Sequence, residues 1–199
     1  METQESKLVD GLTVIGMDPS SFRNCGWAVF RYSAADDKVN LVAKFTQEFH
    51  YDQNDPARLR DVYNKLSEMI AEHKASILAV ERSMGGGNAF IRNNLSETVG
   101  VARMCCFDKG ITVYEISPSH LKLIIAGYGK ARKTHIKKNI AGFFGLKKPG
   151  PEHECDASAC ALTHLVDWGW KGYSVKVQAA PLPKLKTGKK SKGESNGNV

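Results

Sequence analysis

The sequence predicts one α/β domain on a mixed five-stranded sheet, an antiparallel meander of three strands plus two parallel strands, with helices on both faces. Three observations lead there. Three consecutive apolar runs lie between residues 13 and 49, separated by short polar breaks, which is the pattern of a meander. Two later apolar runs, ending at Glu81 and Ile116, each follow or precede a helical pattern, which is how parallel strands are joined. And 199 residues suffice for one full core but not for two large domains.

Thr13 to Met17 forms the first strand and Gly26 to Tyr32 the second. After the Asp36-Asp37 turn, Val39 to Phe49 forms the third. Asp55 then offers an N-cap before Pro56 at the first helical position, and Leu59, Val62, Leu66, Met69 and Ile70 follow at helical spacing to about His73. Ser76 to Glu81 is a short apolar run closed by a carboxylate, as expected of a central parallel strand. Met84 and three glycines make a loop, and Asn88 caps a helix whose stripe is Ile91, Leu95, Val99, Ala102 and Cys106. Ile111 to Ile116 is the fifth strand. Ser117-Pro118 opens a short helix ended by Gly127, a basic helix runs from about Lys130 to Phe144, and a last helix runs from about Glu152 to Trp168. Residues 1–10 read as a flexible N-terminus, 11–178 as the folded domain and 179–199 as a disordered basic tail of low complexity.

Composition narrows the function classes. The sequence is 42% hydrophobic and 25% charged, ordinary for a globular protein, with no apolar run of the roughly 18 to 20 residues a membrane span needs. Neither an export nor an organelle signal is evident at the N-terminus, so the expected location is cytoplasmic, with no membrane partner. Five cysteines without a Cys-x-x-Cys argue for buried thiols over disulfides or zinc. The net charge of +7 points toward a polyanion, but the tail lysines (Lys184, Lys186, Lys189, Lys190, Lys192) against Glu194 hold +4 of it.

Chemistry centres on Asp18. A carboxylate leaving an apolar strand must be paired, bound to a cation or carried to the sheet rim, since burying it alone costs several kcal/mol. A fourth strand parallel to the first would set Glu81 beside it. On the last helix His153, Asp156, Ala157, Cys160 and His164 share one side. The small residues Ala157 to Ala161 let this helix approach the sheet closely, with His153 and Asp156 at its leading end. In the basic helix Lys133 shares the azimuth of Ile136, Ile140 and Phe143, so it projects past the core toward the rim.

Four segments together resemble the RuvC-type Holliday junction resolvases of the ribonuclease H-like superfamily. They are Ile15-Gly-Met-Asp-Pro-Ser-Ser21 with Gly26-Trp27, Leu78-Ala-Val-Glu81, the stretch from Leu121 to Lys133, and His153 to His164. The resemblance implies a structure-specific endonuclease that resolves four-way DNA junctions by paired nicks, using two Mg²⁺ per site, with Mn²⁺ as the alternative ion. It makes Asp18, Glu81 and Asp156 the metal ligands, and Lys122 and Lys133 the active-site lysines, with Lys133 stabilising charge at the scissile phosphate. His153 stands where the family has a fourth acid; imidazole can ligate a cation or orient water, although magnesium prefers oxygen. Met84 stands where bacterial relatives place an aromatic group against junction bases, and Phe90 is either its substitute or a core residue. Lys122, Lys130, Lys137, Arg92, Asn93 and Asn94 are candidate backbone contacts. A homodimer follows from the same resemblance, with the helix from Asn88 to Cys106 as part of its interface, and no helicase partner is indicated. The rivals are a nuclease of the same superfamily acting on forks, flaps or RNA-DNA hybrids, a junction-binding protein without cleavage, and an actin-like nucleotide-binding half. The last lacks its glycine-rich phosphate loops here.

Overall fold

A computed structural model describes residues 8–19, 23–52, 55–82 and 88–175. Met84 with its glycines, Ser20, Ser21 and the basic tail lie outside these residues. The chain order is β1 (Thr13–Asp18), β2 (Asn24–Ser33), β3 (Lys38–Glu48), α1 (Ala57–His73), β4 (Ile77–Glu81), α2 (Ala89–Lys109), β5 (Thr112–Ile116), α3 (Pro118–Ala126), α4 (Lys133–Phe143) and α5 (Glu152–Asp167). The five strands form one sheet in the order β3-β2-β1-β4-β5. β1 pairs antiparallel with β2, and β2 with β3; β4 runs parallel to both β1 and β5. The expected meander plus two parallel strands is therefore the observed sheet.

Side chains alternate across a strand, so the sheet feeds two cores. Val14, Ala28, Phe30, Ile77 and Ala79 face α3, α4 and α5. Ile15, Met17, Trp27, Val29, Leu78 and Val80 face α1 and α2. Helix α5 is buried almost all round from Ala157 to Leu165, because sheet and helices enclose it.

Most strand ends shift by a residue or two, and three boundaries and one helical face differ in ways that bear on the site. α1 begins at Ala57, one residue after Pro56, though the Asp55 carboxylate still accepts from the Ala57 N–H at 2.7 Å. α4 begins at Lys133, because Lys130 falls in the turn after α3. β1 extends through Asp18, so the acid closes the strand. The buried face of α2 is Asn94, Thr98, Ala102, Cys105 and Cys106, whereas Ile91 is exposed and Leu95 half-buried. The reason is Arg58 of α1. It is buried and donates to Thr98 Oγ1 at 2.5 Å and Asn94 Oδ1 at 3.2 Å, so a guanidinium draws polar residues into the helix pair. All five cysteines are buried and free.

His164 lies fully inside, its ring 4.5 Å from those of Tyr114 and Trp168, and neither ring nitrogen has a hydrogen-bond partner. Burial pushes its imidazole from an ordinary 6.5 down to about 4. A base whose folded value is depressed contributes stability above its unfolded pKa and loses it as pH falls toward the folded value. Chemical denaturation from pH 7 to pH 4 should therefore show a loss on the order of 3 kcal/mol from this residue. His164→Leu should flatten that limb, and an unchanged pH slope in the variant would remove His164 as its cause.

Candidate active site

Three acids reach one end of the sheet on one face. Asp18 follows Val14 and Gly16 by alternation, and Glu81 follows Ile77 and Ala79, so both carboxylates stand on the face that α5 covers. Because Met17 pairs with Val80, Asp18 and Glu81 close adjacent parallel strands at the same level. The start of the second turn of α5 carries Asp156 to the same place.

What sets the depth of α5 is glycine. A β-carbon on Gly16 would collide with the Ala157 carbonyl, and one on Gly26 with the His153 carbonyl. Gly26 sits opposite Asp18 in the register, so backbone of α5 lies directly over the strand ends that bear the acids. Each residue of the first turn is then tied to a different part of the fold. Glu152 binds Lys133 and Lys137 of α4, His153 Nδ1 lies 3.0 Å from Asp18 Oδ2, and Glu154 takes Lys44 of β3 at 2.8 Å. Asp156 Oδ2 lies 3.4 Å from Lys133 Nζ.

The charges feel one another. Burial, then Asp156 and Asp18, raise the Glu81 carboxyl above its ordinary range, with Lys122 and Lys133 opposing. Burial, then Asp18, raise Asp156, again opposed by Lys133. The contact with Asp18 raises His153. Burial alone would lower the Lys133 ammonium, but Glu152 and Asp156 outweigh it and hold it high. Like charges gathered with only partial internal neutralisation are what a bound cation relieves. Among the described residues no three acidic, histidine or cysteine side chains stand close enough together to cage an ion as they are. Two of the acids turn toward other protein side chains instead, Asp18 to the His153 imidazole and Asp156 to the Lys133 ammonium.

The other expected contacts are dispersed around this end. Lys122 is half-buried on α3, near enough to Glu81 to stabilise its charge. Lys130 is exposed, Lys137 faces Glu152, Arg92 is half-buried and Asn93 is exposed on α2. Asn94 is not available to DNA: it is buried, accepts from Arg58 and donates to the Phe90 carbonyl at 3.0 Å. Glu152 is the functional neighbour that reading residue by residue missed. Its signal was present as two matched spacings, Lys133 with Lys137 and Glu152 with Asp156, each four residues apart on its helix.

The family described as Crossover junction endodeoxyribonuclease RuvC matches residues 14–164. The chain belongs to the RuvC family. A family member from Caldicellulosiruptor saccharolyticus is 31% identical over 160 residues, covering 78% of this chain and 93% of the relative. One from Halorhodospira halophila is 31% identical over 153 residues, covering 76% and 88%. Thermus thermophilus RuvC superposes with a TM-score of 0.68 at 26% identity, over 77% of this chain and 93% of that one. The yeast mitochondrial Holliday junction resolvase Ydc2 shares the fold, with a TM-score of 0.55 at 12% identity over 82% and 81%. The expected fold class is thus that of the RuvC family.

Proposed function

We propose that the chain is a metal-dependent endodeoxyribonuclease that resolves four-way DNA junctions by paired nicks. The observation that carries this reading is the meeting of Asp18, Glu81 and Asp156 at one sheet end in a RuvC family member. Relatives at about 30% identity bear the name crossover junction endodeoxyribonuclease, and Thermus thermophilus RuvC has been solved with a Holliday junction substrate.

The donor set suits hard cations: three carboxylates, with one imidazole beside them. Asp18, Glu81 and Asp156 would hold two magnesium or manganese ions, with His153 as a nitrogen donor at their edge. When bound, such ions polarise the phosphoryl group and supply an activated water. His153 orients Asp18 through Nδ1. Lys133 sits against Asp156 with its ammonium charged, and there it stabilises negative charge developing on the scissile phosphate. Lys122, Lys130, Lys137, Arg92 and Asn93 position the DNA backbone around this centre. Two copies present two such sites to one junction, with the exposed Ile91, Met104 and Phe107 of α2 supplying apolar area for their contact. No helix among the described residues is long and apolar enough to cross a membrane.

The test presents labelled four-way junction, linear duplex and RNA-DNA hybrid with Mg²⁺ or Mn²⁺. Symmetric nicks in the junction alone support the reading. Equal cleavage of all three rejects junction specificity, and preference for the hybrid or for a fork favours the related nuclease activity.

A further inference from the structure

We propose that Glu152 is a built-in stand-in for a DNA phosphate: without DNA its carboxylate fills the seat between Lys133 and Lys137, and a backbone phosphate enters by displacing it. The inference rests on the reading above that these two lysines meet the DNA backbone.

The geometry is that of a bidentate anion site. Glu152 Oε1 lies 2.9 Å from Lys133 Nζ, and Oε2 lies 2.8 Å from Lys137 Nζ. Each oxygen takes its own ammonium, as two oxygens of a phosphate would. The lysines are four residues apart on α4, so their side chains lie on one face a turn apart. The seat adjoins the acid cluster, because Lys133 also reaches Asp156 at 3.4 Å. It is open to solvent on the Lys133 side: the side chains of Lys133 and Glu152 are 67% and 41% exposed, and that of Lys137 27%. The exposed Lys133 pair is weak, so a polyanion can begin to exchange with the carboxylate there.

Glu152 is also free to leave without unmaking the helix. It is the first residue of α5, and the backbone there is held by its neighbours: Glu154 by Lys44, and the Cys155 N–H by the Pro151 carbonyl at 3.1 Å. A rotation of one side chain opens the seat. The device holds one negative charge between two cations until a strand with correctly placed phosphates arrives, so it weakens binding to any nucleic acid that does not fill the seat.

A chelator-containing buffer prevents cleavage and permits anisotropy titrations of labelled four-way junction over a salt series. The proteins are the parent, Glu152→Gln, Glu152→Ala, the double variant Lys133→Met with Lys137→Met, and that double variant with Glu152→Gln, each checked by its melting temperature. Both single changes at Glu152 should tighten binding about 5-fold at low salt and steepen the salt dependence by about one charge. The double lysine variant should bind more weakly, and adding Glu152→Gln to it should change nothing. If folded Glu152 variants bind with the parent's affinity and salt slope, or more weakly, Glu152 is only a tie between α4 and α5 and the proposal falls. If instead the double lysine variant binds as the parent does, the assignment of these lysines to the DNA backbone fails first.

Discussion

Asp156→Asn is expected to slow junction cleavage on the order of 10³-fold while the protein still folds and binds the junction, because the proposed metal site then lacks one of its three negative charges. The amide keeps the shape of the side chain and removes its charge. Asp156 lies where its carboxylate is desolvated, repelled by Asp18 and partly neutralised by Lys133. An acid held above its ordinary range contributes stability at low pH and loses it as pH rises through the folded value. The desolvation and repulsion of the Asp156 carboxylate therefore work against folding as pH rises, so the melting temperature of Asp156→Asn should equal or exceed that of the parent. Loss of activity without loss of stability is the signature of a site organised for chemistry. Binding should persist in a chelator, since removing an anion beside Lys133 does not weaken its attraction for phosphate. Full cleavage by the variant would discard the assignment of Asp156. A large fall in melting temperature would mark it as structural.

Gly26→Ala should be the most damaging change of a single methyl group. The new β-carbon would meet the His153 carbonyl carbon at 2.5 Å and the His153 β-carbon at 2.9 Å, besides colliding with the carbonyl oxygen. Backbone on both sides leaves no flexible side chain to yield, so α5 must lift from the sheet. Overpacking of this kind costs about 3 kcal/mol, which for a chain of this size lowers the melting temperature by roughly 10 °C. Because the lift begins at His153, the Asp18 contact and the approach of Asp156 are lost with it, and cleavage should fall even below the melting transition. Gly100→Ala is the control. It lies in α2 with nothing within 4 Å of the added carbon, and it should gain about 0.5 to 1 kcal/mol by restricting the unfolded chain. A Gly26→Ala protein as stable as the parent would mean that glycine does not set the depth of α5.

These two expectations draw on different levels of the molecule. Asp18, Glu81 and Asp156 were legible in sequence because each has a local signal: a charge closing an apolar strand, or an acid opening a helix of small residues. The small residues from Ala157 to Ala161 announced close packing, but only half of it. The matching half, Gly16 and Gly26, carries no local sign of it, and only the helix lying across them shows what a β-carbon there would meet. The stripe of α2 was misplaced for a similar reason, since nothing near Asn94 or Thr98 announces an arginine 36 or 40 residues away.

By itself the sequence determined the elements and their order, because strand and helix periods, caps and turn residues act over a few neighbours; it was the family resemblance that singled out the three acids together. Only the tertiary structure decided which charge answers which: His153 with Asp18 across 135 residues, Glu154 with Lys44 across 110, and Glu152 between two lysines of another helix. Such pairings depend on where α5 crosses the sheet, and that crossing is set by steric contact between segments that carry no record of one another in their local pattern.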